Sequence, residues 1–304
     1  MIAAALVTVM LAAVLLAACA PVVVPAGKSV EAPRLTPDHY VAADGTALKL
    51  AVWPPAPGPA KAVILGLHGF GDYRDAFAEP AAIWAAAGFV TYAFDQRGFG
   101  QSPTRGRWPG TDTLVDDAKA MAALLRQQHP GVPFYVAGES MGGAVALAAA
   151  DRGLEADGLI LLAPALRSRD TFGPLASAGL WLFAHLMPWL PSGPTSIDFQ
   201  PTDNPKTLEK LRRDPLMLRQ PRLDMGYGLV DLMDDARAAA ARIRLPYLLL
   251  HGSGDKIVPE GPVSAAIKIM PRRADSRLAF YRKGYHLLLR DKEGPLVEIG
   301  RAHV

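Results

Sequence analysis

Near-continuous apolar runs of strand length recur along the chain: Ala62 to Leu67, Phe89 to Phe94, Phe134 to Ala137, Leu159 to Leu162, Tyr247 to Leu250 and Leu278 to Tyr281. None shows the strict alternation of a half-exposed strand, so each suits a strand covered on both faces in a parallel sheet. Helical stretches separate them. Ala76 to Ala87 is stopped by Gly88. Thr111 to His129 carries apolar residues at Leu114, Val115, Ala118, Met121, Ala122 and Leu125 and is closed by Pro130. Met141 to Ala150 is built of small residues. Near the start, Tyr40 to Ala42 and Leu48 to Trp53 flank Asp44-Gly45, a hairpin signal. Alternating strands and helices predict βαβ units, hence an α/β fold. The sheet is mainly parallel, of about eight strands, with an antiparallel hairpin at its start and helices on its faces.

The rhythm breaks between Leu166 and Tyr227. This stretch is rich in proline and carries Phe172, Trp181, Phe183, Met187, Trp189, Met217 and Met225. It reads as a helical cap (166–227) over the strand ends, where open α/β sheets bind ligands, with core segments 36–165 and 228–297 on either side. The N-terminal run Ile2 to Ala18 is apolar and closes on Leu16-Ala17-Ala18-Cys19, although no Lys or Arg precedes it. That ending resembles the lipobox of bacterial lipoproteins. It implies a signal peptide (1–19), lipidation at Cys19, a Pro/Gly linker (20–35), and an exported protein anchored by lipid to a bacterial envelope membrane, with the periplasmic side expected. The last residues, Glu298-Ile299-Gly300-Arg301-Ala302-His303-Val304, back-translate into a common sequencing-adapter read and are expected to be a non-native tail.

A chain of 304 residues, half of them hydrophobic, can bury a sizeable core. The formal net charge is +3, with no run of like charge, so nucleic acid is not an expected partner. Cys19 is the single cysteine, which excludes an internal disulfide. No Cys/His pair has zinc-ligand spacing, and no metal or organic cofactor is implied. Oligomeric state leaves no signal in the sequence.

The strongest chemical signal is Gly138-Glu139-Ser140-Met141-Gly142, a G-x-S-x-G pattern placed after a strand and before a helix. Glycines two residues either side let the backbone bend sharply around a strained serine, which makes Ser140 the candidate nucleophile. A serine hydroxyl needs a base, and after a turn of this type the acid and then the histidine follow along the chain. Of seven histidines, only His286 and His303 follow the plausible acids, and His303 lies in the suspect tail. His286, just after the last strand, is therefore the candidate base. Asp255 ends a strand in the glycine loop His251-Gly252-Ser253-Gly254-Asp255 and is the candidate acid that fixes the histidine tautomer. Asp231, Asp234 and Asp235 read as a solvated helix face, and Asp275 precedes its strand. Oxyanion donors are expected at the Met141 amide and at the Phe70 amide, with Gly69 as the neighbouring alternative. His68 and His251 read as structural residues. Asp95 to Ser102 reads as a loop braced through ion pairs of Arg97.

His68-Gly69-Phe70-Gly71, Asp95-Gln96-Arg97-Gly98-Phe99-Gly100-Gln101-Ser102, Gly138-Glu139-Ser140-Met141-Gly142-Gly143, His251-Gly252-Ser253-Gly254-Asp255 and Gly284-Tyr285-His286 stand in a familiar order. The order resembles that of the monoacylglycerol lipase and lysophospholipase-like α/β hydrolases, over about Tyr40 to Asp291. Asp214-Pro215-Leu216 resembles a recurrent cap segment of the same group. The resemblance implies an α/β-hydrolase fold and hydrolysis of a lipid ester, a monoacyl glyceride or lysophospholipid, by a Ser140–Asp255–His286 triad through an acyl-enzyme. A short-chain esterase or serine peptidase of the same fold is the alternative, and a non-catalytic lipid-binding lipoprotein is the alternative from another class. Epoxide hydrolase and dehalogenase chemistry is disfavoured, because those enzymes carry a carboxylate where this chain has Ser140.

Overall fold

The apolar runs join in one nine-stranded sheet. The structure is a computed structural model that describes residues 20–192 and 200–298. Strands β1 (Arg34–Leu35), β2 (His39–Val41) and β3 (Ala47–Trp53) are antiparallel to one another, and β3 is antiparallel to β5 (Phe89–Phe94). From β5 onward the sheet is parallel, through β4 (Ala62–Leu67), β6 (Phe134–Glu139), β7 (Gly158–Leu162), β8 (Tyr247–Gly252) and β9 (Arg277–Tyr281). Every residue of β4 is buried, as its unbroken apolar run predicts.

Helices cover both faces. On one side lie α2 (Thr111–Gln128), α3 (Met141–Asp151) and, later in the chain, α6 (Leu223–Ala240). Their Leu114, Met121, Leu125, Val145, Met225 and Met233 share the larger core with Leu65, Leu67 and Val136 of the sheet. On the other side, α1 (Ala78–Ala86) and the short α8 (Gly294–Glu298) pack through Trp84 and Val297 against a second core with Phe77, Ile64, Leu288 and Leu289. Helix α7 (Glu260–Ile269) links β8 to β9. The long insert after β7 holds α4 (Pro174–Leu186) and α5 (Pro205–Arg213) before it runs into α6.

Two segments differ from the sequence expectation. The linker, 20–35, lies along the body: Val24 N–H bonds Trp108 O at 2.8 Å, Gly27 N–H bonds Asp44 Oδ2 at 2.8 Å, and Arg34–Leu35 adds the ninth strand. A proline-rich string can satisfy its backbone on a neighbour as well as in water, and its sequence carries no sign of which. The expected cap boundary at residue 227/228 falls inside α6, because the apolar face of that helix, which belongs to the core, begins at Met225.

Topology sets the place of the site. After β4 the chain crosses to β5 on one side and later to β6 on the other, so the carboxyl ends of β4 and β6 open a crevice at a topological switch point. The register sets Leu67 beside Gly138, which brings the loop after β4 next to the turn after β6. Gly252 likewise sits beside Tyr281, so the loops after β8 and β9 meet.

Candidate active site

Ser140 occupies the turn between β6 and α3 with φ 54° and ψ −113°, a conformation that is costly for a residue with a Cβ. The turn is held on every side. Ser140 N–H donates to Leu162 O at 2.9 Å, and Ser140 O accepts from Ala144 N at 3.1 Å and Ala165 N at 2.9 Å. Gly142 permits this closeness, since a Cβ there would stand 1.9 Å from Leu67 O. Ala163, beyond β7, shares the positive φ at 42°. Nothing in its sequence context points to that second strained residue.

The loops after β8 and β9 are stitched by Gly254 N–H to Gly284 O at 2.9 Å and Ser253 N–H to Tyr281 O at 2.8 Å. They bring together two buried side chains that stand far apart in sequence. His286 Nδ1–H donates to Asp255 Oδ2 at 2.7 Å, while Asp255 Oδ1 accepts from the amides of Ile257 at 2.8 Å and Val258 at 2.9 Å. The carboxylate is thus held on both oxygens, and in a neutral ring that donates from Nδ1–H, Nε2 is the nitrogen left to accept a proton. No hydrogen bond joins Ser140 to His286 among the described residues. Such contacts are often long before substrate binds and tighten in the reacting complex.

The third group is the turn after β4. A Cβ on Gly69 would lie 3.5 Å from Ser140 Cβ, so this turn runs beside the nucleophile. Met141 is the first residue of α3, where an amide has no acceptor within the helix, and the Phe70 amide makes no hydrogen bond among the described residues. His68 is fully buried and has a structural part. Its Nδ1–H donates to Gly69 O at 2.9 Å and its Nε2 accepts Gln96 N–H at 3.0 Å. Burial holds its pKa below the ordinary value, consistent with a neutral ring. The insert rests on the same turn: Leu218 N–H bonds Gly71 O at 2.8 Å, and Tyr73 O–H donates to Asp214 Oδ2 at 2.5 Å, so Asp214-Pro215-Leu216 lies against it.

The Asp95–Ser102 loop is braced as expected. Arg97 is buried and forks onto Asp117 Oδ2 at 2.7 Å and Asp44 Oδ2 at 2.8 Å. Of the rejected acids, Asp231 and Asp234 pair with Arg169, Asp235 with Arg152 and Asp275 with Arg273, on the surface and away from the base. His251 is fully buried against Phe280, with neither ring nitrogen hydrogen-bonded. Cys19 and residues 299–304 lie outside the described residues.

Three further buried charges lie beside the site. Arg290 Nη2 lies 2.5 Å from Glu139 Oε2 and 2.8 Å from Asp72 Oδ2. One signal was available: a glutamate beside a nucleophile in an apolar strand-to-helix turn requires a cation, and Leu287-Leu288-Leu289-Arg290 ends an apolar run in one.

The family model described as Serine aminopeptidase, S33 (Hydrolase_4) matches residues 58–293. The chain is 30% identical over 273 residues to a human protein named monoglyceride lipase, covering 84% of this chain and 88% of that one. It is 28% identical over 264 residues to the monoacylglycerol lipase of Mycolicibacterium smegmatis, covering 85% and 92%. Among solved structures, a soluble variant of monoglyceride lipase from Saccharomyces cerevisiae, in complex with a substrate analogue, superposes with a TM-score of 0.72 at 20% identity, covering 91% of this chain and 96% of that one. The Paleococcus ferrophilus monoacylglycerol lipase superposes with a TM-score of 0.68 at 24% identity, covering 83% and 96%.

Proposed function

The chain belongs to the Hydrolase_4 family of α/β hydrolases, and from that premise we propose that it is a serine carboxylic-ester hydrolase whose substrate carries a single acyl chain, a monoacylglycerol in the first place. The observation that carries the reading is the fixed His286–Asp255 pair on the same crevice rim as a serine held at positive φ.

In the proposed reaction, Ser140 Oγ attacks the ester carbonyl and passes its proton to His286 Nε2. Asp255 holds the ring in orientation and stabilises the imidazolium. The Phe70 and Met141 amides receive the negative charge of the tetrahedral oxygen, aided by the positive end of α3. His286 then protonates the leaving alcohol, and water attacks the acyl-enzyme by the same route in reverse. The surface supports a lipid substrate. In α4 and just beyond it, Leu175, Trp181, Leu182, Phe183 and Trp189 are all exposed, an apolar area of the kind that meets lipid or a partner. The relatives' names supply the glyceride head group, and a lysophospholipid is the neighbouring candidate. Lipidation of Cys19, with the enzyme tethered to an envelope membrane, belongs to the same proposal and would keep it where such lipids partition. Among the described residues no helix is long and apolar enough to cross a membrane.

The family model's description favours one second reading, an aminopeptidase with the same three residues. A panel of a monoacylglycerol, a lysophospholipid, a short p-nitrophenyl ester and amino-acid anilides decides between them. The monoacylglycerol is expected to give the highest kcat/KM, and Ser140→Ala to lose about 10⁴-fold in turnover or more. Preference for the anilides would replace the ester reading by the peptidase one. Hydrolysis at near-normal rate by the alanine variant would remove Ser140 from the mechanism. Labelling by a fluorophosphonate excludes a pure lipid binder, which would stay unlabelled.

A further inference from the structure

Three charged side chains lie buried under the site and take no part in the acyl transfer described above: Glu139, Asp72 and Arg290. Each belongs to a different loop of the machinery. Glu139 is covalently next to Ser140. Asp72 closes the oxyanion turn, with its amide donating to Gly69 O at 3.2 Å and its Oδ1 accepting Tyr73 N–H at 2.8 Å. Arg290 stands four residues beyond His286, at the end of the short 3₁₀ segment Leu288–Arg290. A single guanidinium nitrogen, Nη2, meets both carboxylates, at 2.5 Å and 2.8 Å. The Arg290 carbonyl also accepts the hydroxyls of Thr202 and Thr207, each at 3.1 Å, which binds the insert to the same point.

Stability alone is a poor reason for such a cluster. Burying three charges costs desolvation that their attraction only about repays, and a well-packed apolar core of equal volume is often as stable. Burial pushes the Glu139 pKa up while Arg290 draws it back. Burial also opposes the Arg290 charge, yet the two carboxylates outweigh it and hold its pKa above the ordinary value. Geometry, by contrast, gains directly from the arrangement. The nucleophile, the oxyanion donors and the base sit on three separate loops, and a misplacement of about 1 Å can cost ~10²-fold in rate.

We propose that Arg290 is a positioning residue: by pairing with Glu139 and Asp72 it holds the Ser140 turn, the Phe70 turn and the His286 loop in one mutual register. Arg290 touches no reacting atom and acts only through these loops. The inference rests on the Ser140–His286–Asp255 reading and extends it.

The test uses the full-length protein and two variants, with a third in reserve. Arg290→Lys keeps the charge on a shorter chain without the planar fork. The triple variant Arg290→Met, Glu139→Gln, Asp72→Asn removes all three charges at similar volume and leaves no buried carboxylate unpaired. On a short p-nitrophenyl ester, which leaves acyl-chain binding out of the readout, kcat of the triple variant is expected to fall about 30-fold or more, with KM within about threefold. The rate of fluorophosphonate labelling should fall in step while its final stoichiometry stays complete, and the lysine variant should recover part of the loss. Melting temperatures near that of the parent establish that the loss is not unfolding. A folded triple variant with kcat within about threefold of the parent overturns the proposal, as does a loss confined to KM. If the triple variant does not fold, the single variant Arg290→Gln, which cannot supply the charge, decides by the same criterion, a folded protein with parent-like kcat being the negative result. Ser140→Ala runs alongside. Retained hydrolysis there would sink the underlying site reading, whereas a dead alanine variant beside a fast triple variant would sink the Arg290 inference alone.

Discussion

Asp291, next to Arg290, shows how a single carboxyl can tie a catalytic loop to stability. Its Oδ2 accepts Tyr285 N–H at 2.7 Å and its Oδ1 accepts Asp203 N–H at 3.3 Å, so it binds the base loop to the insert. Burial pushes its pKa up to about 6 from an ordinary 3.8. A carboxyl whose folded pKa lies above its unfolded one contributes stability that is present below the unfolded value and lost as pH rises through the folded one. An amide cannot ionise and escapes that loss. Between pH 4 and pH 7 the parent is therefore expected to lose up to ~3 kcal/mol that Asp291→Asn does not lose, on top of a pH-independent cost for turning the amide NH2 toward one of the two backbone donors. Urea unfolding at several pH values measures the difference, and a gap that stays constant across the range refutes the assignment. At this scale the sequence was legible where residue type and chain order suffice: Ser140, Asp255 and His286 followed from a motif and two loop positions. The pairing of Glu139 with Arg290 did not, because the local signal at each end says nothing of a partner 151 positions away.

At the scale of elements, close approach decides which substitutions the scaffold tolerates. A Cβ at Gly142 would meet Leu67 O at 1.9 Å, so Gly142→Ala must push α3 away from the end of β4. Overpacking of this kind costs about 1–3 kcal/mol, occasionally more. Gly179, in α4, has open space where a Cβ would go, and Gly179→Ala should be neutral or stabilising by up to ~1 kcal/mol. Thermal melts of the two variants form the comparison. Equal melting temperatures would show that the nucleophile turn is not tightly packed. The expected strands and the three long helices of the first core segment were recovered within a few residues, since apolar runs and Gly or Pro stops are local signals. The two-residue β1 was missed because it is too short to have a periodicity. The expected cap boundary at 227/228 falls inside α6 because the first turn of that helix belongs, by composition, to the aromatic-rich insert.

For the molecule as a whole, the proposed tether and the exposed apolar surface of α4 bear on the same question, how the enzyme meets an insoluble substrate. If Cys19 carries lipid, Cys19→Ala should move the protein from the membrane to the soluble fraction of cells expressing it, with hydrolysis of a short soluble ester unchanged. Unaltered fractionation would refute the anchor. The sequence by itself determined the fold class, the sheet's parallel centre and the candidates for nucleophile, acid and base. These depend on which backbone conformations and which surfaces a short stretch of residues can support. The tertiary structure alone decided that Arg290 faces both Glu139 and Asp72, that the 20–35 segment docks on the body, and that the insert seats on the turn after β4. Those outcomes depend on which distant groups the sheet register brings within hydrogen-bonding distance, and a one-dimensional pattern does not encode that.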